Sequence, residues 1–339
     1  MDKHRSGWSI SARATALHRD ALVWDNHGCM PFEDTERWLD ELARYRESGV
    51  DVAVINIGDS DQPLETLIRM AAAIRDYVAK HHEHYSMAVD TAAIRAAKAA
   101  GKLAIALDVE GVYALGSQVS LVPLLYELGV RWMLMVYNRA NLAGSGCHDA
   151  EDGGLTPLGR ELVREMDRVG LVKCCSHTGY RTAMDVFEQS TRPTIFSHSN
   201  PRALHDHPRN IPDELIDACA QSGGVVCVNG IGIFLGDNDI RVERFVDHVD
   251  YVVQRIGARH VGVGLDYVFN LAGMNAALAN SANIWPQGFG YSAGIKCFPP
   301  EQLPAVTEEL LRRNYDEGSI RGILGENLLR VADEVWRPG

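Results

Sequence analysis

No stretch of these 339 residues stays apolar long enough to span a bilayer. The longest apolar runs, such as Leu103 to Leu107, fall far short of the roughly 18 positions a crossing helix needs. Basic blocks are missing too: 33 Lys and Arg stand against 45 Asp and Glu, a formal net charge of −12. Nucleic acid is therefore not an expected partner, because phosphate recognition wants a positive stripe that displaces counterions. No membrane partner is expected either. The opening MDKHRSGWSISARATALHRD has a charged start but no apolar core for export, and the closing EVWRPG forms no hydrophobic anchor. Cysteine is sparse and odd in number, seven in all. Without an export signal, the expectation is reduced thiols in a cytoplasm, with Cys174 and Cys175 as small core residues. No G-x-G-x-x-G or G-x-x-x-x-G-K run supports a nucleotide fold.

What is present is an alternation. Strand-like segments fall at 21–26, 51–57, 103–109, 131–136, 171–176, 194–197, 224–228 and 260–265. Several are almost continuously apolar, as parallel strands covered on both faces are. Helical patterns lie between them. In 239–256, Val242, Phe245, Val246, Val249, Val252, Val253 and Ile256 recur at three- and four-residue steps. Segment 156–168 opens on Thr156-Pro157, and 212–221 opens on Pro212 with Gly223 beyond its end. Eight strands with helices between them predict an α/β fold, a (β/α)8 TIM barrel. A doubly wound open sheet is the alternative. The expectation is a single domain over 1–339, with an N-terminal extension of about 1–20. YSMAV at 85–89 is a ninth strand-like run that fits neither count and reads as an excursion. Segment 268–298 has no clear period and reads as a long loop, a lid or substrate wall.

In such a barrel, chemistry collects at the C-terminal ends of the strands. Those ends carry His27, Glu110, Tyr137, His177, His198 and Asp266. Three histidines and two carboxylates on one rim are poor core material but suit zinc and its neighbours. Asp108 shares a strand face with Glu110 and reads as an acceptor behind the ligands. His81-His82-Glu83-His84 reads as solvated surface, and His205 and His207 as loop residues. Cys147-His148 is set aside as a nucleophilic pair, since adjacent residues rarely meet at the needed geometry.

The motifs WDNHGCMP (24–31), DVEG (108–111), SHTG (176–179) and FSHSNPRAL (196–204) carry a resemblance. HPRNIPDEL (207–215), GVGLD (262–266) and LGENLLRV (324–331) extend it over nearly the whole chain. Together they resemble the renal-type (membrane) dipeptidase family, peptidase family M19. The resemblance implies a (β/α)8 barrel, a binuclear zinc centre and a homodimer. It also implies hydrolysis of dipeptides, including those with a D-residue at the C-terminal position.

Roles follow from the resemblance position by position. His27 and the residue at 29 match ligands of one metal, Glu110 a bridge, and His177 and His198 ligands of the other. Arg209 matches a grip on the substrate carboxylate, and Asp266 the residue that handles the water's proton. Two positions depart from the family. Cys29 stands where an Asp belongs; a thiolate can bind zinc, or the site can hold one ion and not two. Tyr137 stands where a His contacts the substrate; a phenol can donate a hydrogen bond to a developing oxyanion but brings no charge. The expected function is a zinc-dependent dipeptidase acting on small peptides with a free carboxylate. The alternatives are hydrolysis of another small amide, an N-acyl amino acid or a cyclic amide, and a catalytically silent barrel.

Overall fold

A computed structural model describes residues 8–59 and 61–337. The first seven residues of the expected N-terminal extension lie outside the described residues. The rest of it includes a helix, Ala12–Asp20, capped by the Ser11 side chain, which accepts from the Ala14 backbone N–H. That helix is docked by His18, which meets Thr307 in the helix Leu303–Arg312.

Among the described residues ten strands form: β1 Trp24–Cys29, β2 Val52–Asn56, β3 Tyr85–Met87, β4 Leu103–Val109 and β5 Val130–Leu134, then β6 Val172–Cys174, β7 Thr194–Ile195, β8 Val226–Val228, β9 Val261–Val263 and β10 Tyr267–Val268. β4 shows why they form. Its LAIALDV is buried at every position, and alternate residues enter two different cores. Ala104 and Ala106 pack inside with Val52, Val54, Trp132 and Leu134. Leu103, Ile105 and Leu107 pack outside, with Ala53, Ile55 and Met133. The small inner residues leave room for Trp24 and Trp132, and Trp336 closes on Trp24 at 5.8 Å between ring centroids.

All the strand pairs are parallel. β1, β2, β4, β5, β6 and β7 pair in that order, and β8 pairs β9. A bridge between Phe196 and Val226 joins β7 to β8. β10 follows β9 directly and pairs with β1, so the ring returns to its start. Nine of the ten strands thus make the ring, β9 and β10 together filling the eighth position of the expected barrel, and the open-sheet alternative falls away. The ninth strand-like run has a place after all. β3 pairs with the first half of β4, at Leu103 to Ile105, while β5 pairs with the second half from Leu107. It fills the edge that β5 leaves uncovered.

The helix Pro157–Val169 is capped by Thr156, and Asp213–Gln221 begins after Pro212, as the sequence predicts. Val242–Ile256 buries Phe245, Val246, Val249 and Val252 on one face. The reading of 268–298 as one long loop needs correction. It opens on Val268, the last residue of β10, and contains a ten-residue helix, Leu271–Asn280, started by the Asn270 side chain, which accepts from the Gly273 N–H. Periodicity missed this helix because Leu278 alone in it is buried.

Candidate active site

The first strand carries a device that decides the site. Asp25 pairs with Ala53, but Gly28 pairs with Ile55, so three steps on β1 oppose two on β2. Such a bulge inserts one residue and re-aims its neighbours. Here it sends His27 and Cys29 inward and leaves Gly28 facing the outer core. A Cβ at Gly28 would stand 2.8 Å from the Tyr45 hydroxyl oxygen, so the position has no room for a side chain.

Four of the expected ligands meet at one point. Glu110 Oε1 lies 3.5 Å from His27 Nε2, 3.4 Å from His177 Nε2 and 3.2 Å from His198 Nε2. The two latter nitrogens are 2.9 Å apart. Cys29 Sγ lies 3.3 Å from His27 Nε2 and 3.3 Å from Asp266 Oδ1. Chain distance is no obstacle, because each residue sits at or just past the C-terminal end of β1, β4, β6, β7 or β9. Trp132 forms the floor, 5.4 Å from the His27 ring and 6.2 Å from the His198 ring.

Each imidazole is oriented by its other nitrogen. His27 Nδ1 meets Asp108 Oδ2 at 3.1 Å, and Asn56 donates to the same carboxylate. His177 Nδ1 meets Asn138 Oδ1 at 2.7 Å, and His198 Nδ1 meets Ser197 Oγ at 2.7 Å. An acceptor at Nδ1 leaves the Nε2 lone pair pointing inward, the arrangement metal-binding histidines adopt. Glu110 Oε1, at the meeting point, has no hydrogen-bond partner. Converging lone pairs around an unpartnered carboxylate oxygen repel one another, and a cation between them removes the repulsion. The donor set fits a metal. The burial of the site tells the same story. Burial pushes the Glu110 and Asp108 carboxyls and the Cys29 thiol up. It holds His177 and His198 well below the usual imidazole range, so both rings are neutral. Burial acts the same way on His27, but Cys29, Glu110 and Asp108 outweigh it and hold that ring well above the range.

Asp266 is held on its far side, where Asn229 Nδ2 donates to Oδ2 at 2.8 Å. Its backbone, with those of Asn138 and His177, adopts a left-handed conformation uncommon outside glycine. Tyr137 stacks on His177 at 4.2 Å and lines the cavity above the centre. Arg209 is buried against Phe234, gives one N–H to the His198 carbonyl and has no partner at Nε. It forms no ion pair among the described residues. The segment at 289–291 covers this region: His148 Nε2 meets the Tyr291 hydroxyl, and His207 Nε2 meets the Phe289 carbonyl.

Several residues reached the site unannounced. Asn56 ends β2 and Asn229 follows β8, the two barrel strands whose ends carry none of the predicted residues. Asn138 and Ser197 adjoin residues it named. The remaining candidates fall elsewhere. His82 and His84 are exposed and His81 is half-buried beside them, and Cys147 points to Asn138 rather than to His148. Gly290-Tyr291-Ser292-Ala293-Gly294 spells the serine-hydrolase elbow, but Ser292 is exposed on a single 3-10 turn with no strand before it.

The profile of membrane dipeptidases, peptidase family M19, matches residues 12–280 and 288–337. The chain belongs to that family. Dipeptidase verJ of Clonostachys rogersoniana is 28% identical over 276 residues, covering 81% of this chain and 66% of its own length. Dipeptidase tcpJ of Claviceps purpurea is 32% identical over 240 residues, covering 69% of this chain and 52% of its own. The match thus spans just under two thirds of one relative and about half of the other. An amidohydrolase from Pseudomonas aeruginosa superposes with a TM-score of 0.86 at 29% identity, over 95% of this chain and 99% of its own. A Rhodobacter sphaeroides metallopeptidase, liganded with a phosphinate mimic of L-Ala-D-Ala, shares the fold at a TM-score of 0.74 and 22% identity, over 94% and 100%. In this M19 chain His27, Glu110, His177 and His198 come from four strand ends and meet within contact.

Proposed function

We infer that the chain is a metal-dependent dipeptidase that hydrolyses the amide bond of small dipeptides with a free C-terminal carboxylate. One observation carries the reading: the Nε2 atoms of His27, His177 and His198 converge on Glu110 Oε1 beside Cys29 and Asp266. Imidazole, carboxylate and thiolate together suit zinc. His27 and Cys29 would hold one ion, His177 and His198 a second, and Glu110 both. When bound, the ions would supply Lewis acidity, making water a stronger acid and polarising the scissile carbonyl.

The chain's own residues do the rest. Asn229 donates to Asp266 Oδ2 and so turns Oδ1 toward Cys29 and His27, where it would take the attacking water's proton and pass it to the leaving amine. Arg209, a buried cation without a carboxylate partner, takes the substrate's C-terminal carboxylate by a two-pronged hydrogen bond. Tyr137 donates its hydroxyl to the developing oxyanion. The clamp favours short substrates, and the family resemblance adds tolerance of a D-residue at the carboxylate end. The family also supports a homodimer, and the cysteine usage a cytoplasmic setting.

Cys29 and Tyr137 favour a second reading, hydrolysis of an N-acyl amino acid or a cyclic amide, because both alter the place where the amide is read. Assays of the zinc-loaded protein on L,L- and L,D-dipeptides against N-acyl amino acids separate the two. Dipeptide turnover that chelation abolishes and zinc restores supports the first. Turnover of N-acyl substrates alone replaces it with the second. Elemental analysis is expected to find about two metal ions per chain.

A further inference from the structure

We propose that the part of the active-site cavity beside Asp59 is a cation subsite, which selects dipeptides whose amino-terminal residue has a positively charged side chain. The inference rests on the dipeptidase reading and adds the substrate class to it.

A cavity of about 550 Å3 opens beside Cys29, Glu110 and Tyr137. Its wall carries four further carboxylates, Glu33, Asp34, Asp59 and Asp61, and a single basic residue, Arg37. None of the four forms an ion pair among the described residues. The Arg37 guanidinium lies over its neighbour Trp38, 5.7 Å from the ring centroid. Asp59 differs from the other three. It follows the end of β2, is half-buried and hydrogen-bonds with Asp61, yet its Oδ1 is sealed from solvent with no donor; burial, then Glu110 and Asp61, push its carboxyl up to about 8. A buried carboxylate oxygen without a donor is costly, and no described protein group supplies one. Phe32, Trp38 and Trp285 complete the wall. Aromatic faces accept the alkyl stem of a long side chain and attract the cation at its tip.

The two ends of the site therefore carry opposite charge. Arg209 lies against Phe234 and the His198 carbonyl and is absent from the lining of the acidic cavity. A dipeptide with its carboxylate toward Arg209 sends its first residue into the acidic cavity. A neutral apolar side chain would fill the aromatic wall but leave Asp59 Oδ1 without a donor. A guanidinium or ammonium supplies both donors and charge. An acidic side chain supplies no donor to Asp59 and meets Glu33, Asp34 and Asp61, which rejects it.

The test compares kcat/KM for L-arginyl-L-alanine with that for L-citrullyl-L-alanine, its neutral isostere, using the zinc-loaded full chain. The expected ratio is about tenfold or more in favour of arginine, narrowing as salt is raised. Asp59→Asn should bring the ratio close to one, and Asp61→Asn should reduce it less. Equal values in the wild type, with both dipeptides cleaved, overturn the inference and leave the dipeptidase reading intact. A ratio that survives Asp59→Asn overturns the assignment to Asp59. Should that variant fail to fold, the wild-type ratio and Asp61→Asn still decide. Cleavage of neither dipeptide, nor of any other, overturns the reading and this inference with it.

Discussion

The two sides of the candidate metal centre are built from the same ring and braced in different ways. On one side, His177 and His198 lean on neutral oxygens, Asn138 Oδ1 and Ser197 Oγ. Burial then keeps both rings neutral, and each offers a lone pair. On the other side, His27 leans on the Asp108 carboxylate and touches the Cys29 thiol. The same degree of burial is outweighed there by negative neighbours. A neutral brace makes a ready ligand; a charged brace makes a ring that wants a positive partner, whether a proton or an ion. The His27 half is thus the more strongly negative of the two, and Cys29 decides how it answers a metal.

Removing what the halves share gives the largest effect. Glu110 touches all three rings, so Glu110→Ala should lower kcat/KM by well over about a hundredfold, since residues merely behind metal ligands are worth that much. His177→Ala should do the same, and far-UV circular dichroism should remain native in both. Wild-type-like turnover in either variant removes the metal centre from the reaction. Next comes Cys29, which the resemblance marks as a departure. With cobalt as the probe ion, a thiolate ligand gives a sulfur-to-metal charge-transfer band in the near ultraviolet. Cys29→Ser should abolish the band, and His177→Ala should leave it. If Cys29→Asp raises metal content and dipeptide turnover together, the thiol is a weakened ligand; if both fall, it is a specialised one.

The braces sharpen the contrast at smaller cost. Asn138→Ala and Asp108→Asn should each lower kcat/KM by about tenfold or somewhat more. The loss of the neutral brace should leave the His27 half loaded, as seen in the cobalt–thiolate band. The loss of the charged brace should weaken that band. Equal effects of the two on the band would erase the distinction between the halves.

The strand-end rule explains what could be read in advance. Eight apolar runs gave the barrel, because parallel strands buried on both faces must be apolar throughout. Their ends gave His27, Glu110, His177, His198 and Asp266. Asn56 and Asn229 obey the same rule and were readable, but an amide attracts no notice beside histidines and carboxylates. The bulge in β1 was not readable. It arises from pairing with β2, and without it His27 and Cys29 could not both face inward. The helix Leu271–Asn280 was hidden too, because it lies on the barrel rim with little of its surface buried. Asp59 gave no sign, since a lone aspartate in a polar loop looks like any turn residue.

His18 is the histidine against which both halves can be judged. It is as buried as they are, at 4% exposed, yet both its nitrogens are satisfied, by Thr307 Oγ1 at 2.8 Å and the Ser48 carbonyl at 3.1 Å. No lone pair is left for an ion. Burial, opposed by the bond to Ser48, lowers its pKa from 6.5 to about 4. The folded chain therefore keeps His18 neutral at a pH where the unfolded chain protonates it. Its contribution to stability is whole above 6.5 and drains away as the pH falls from there toward 4. Between about pH 7 and about pH 5.5 the loss should be about 1 kcal/mol. His18→Gln removes the titration, so the wild type should lose that much more than the variant over the interval in urea unfolding. A difference between the two that stays flat with pH would show that burial does not control this ring, and would weaken the case that it controls His177 and His198.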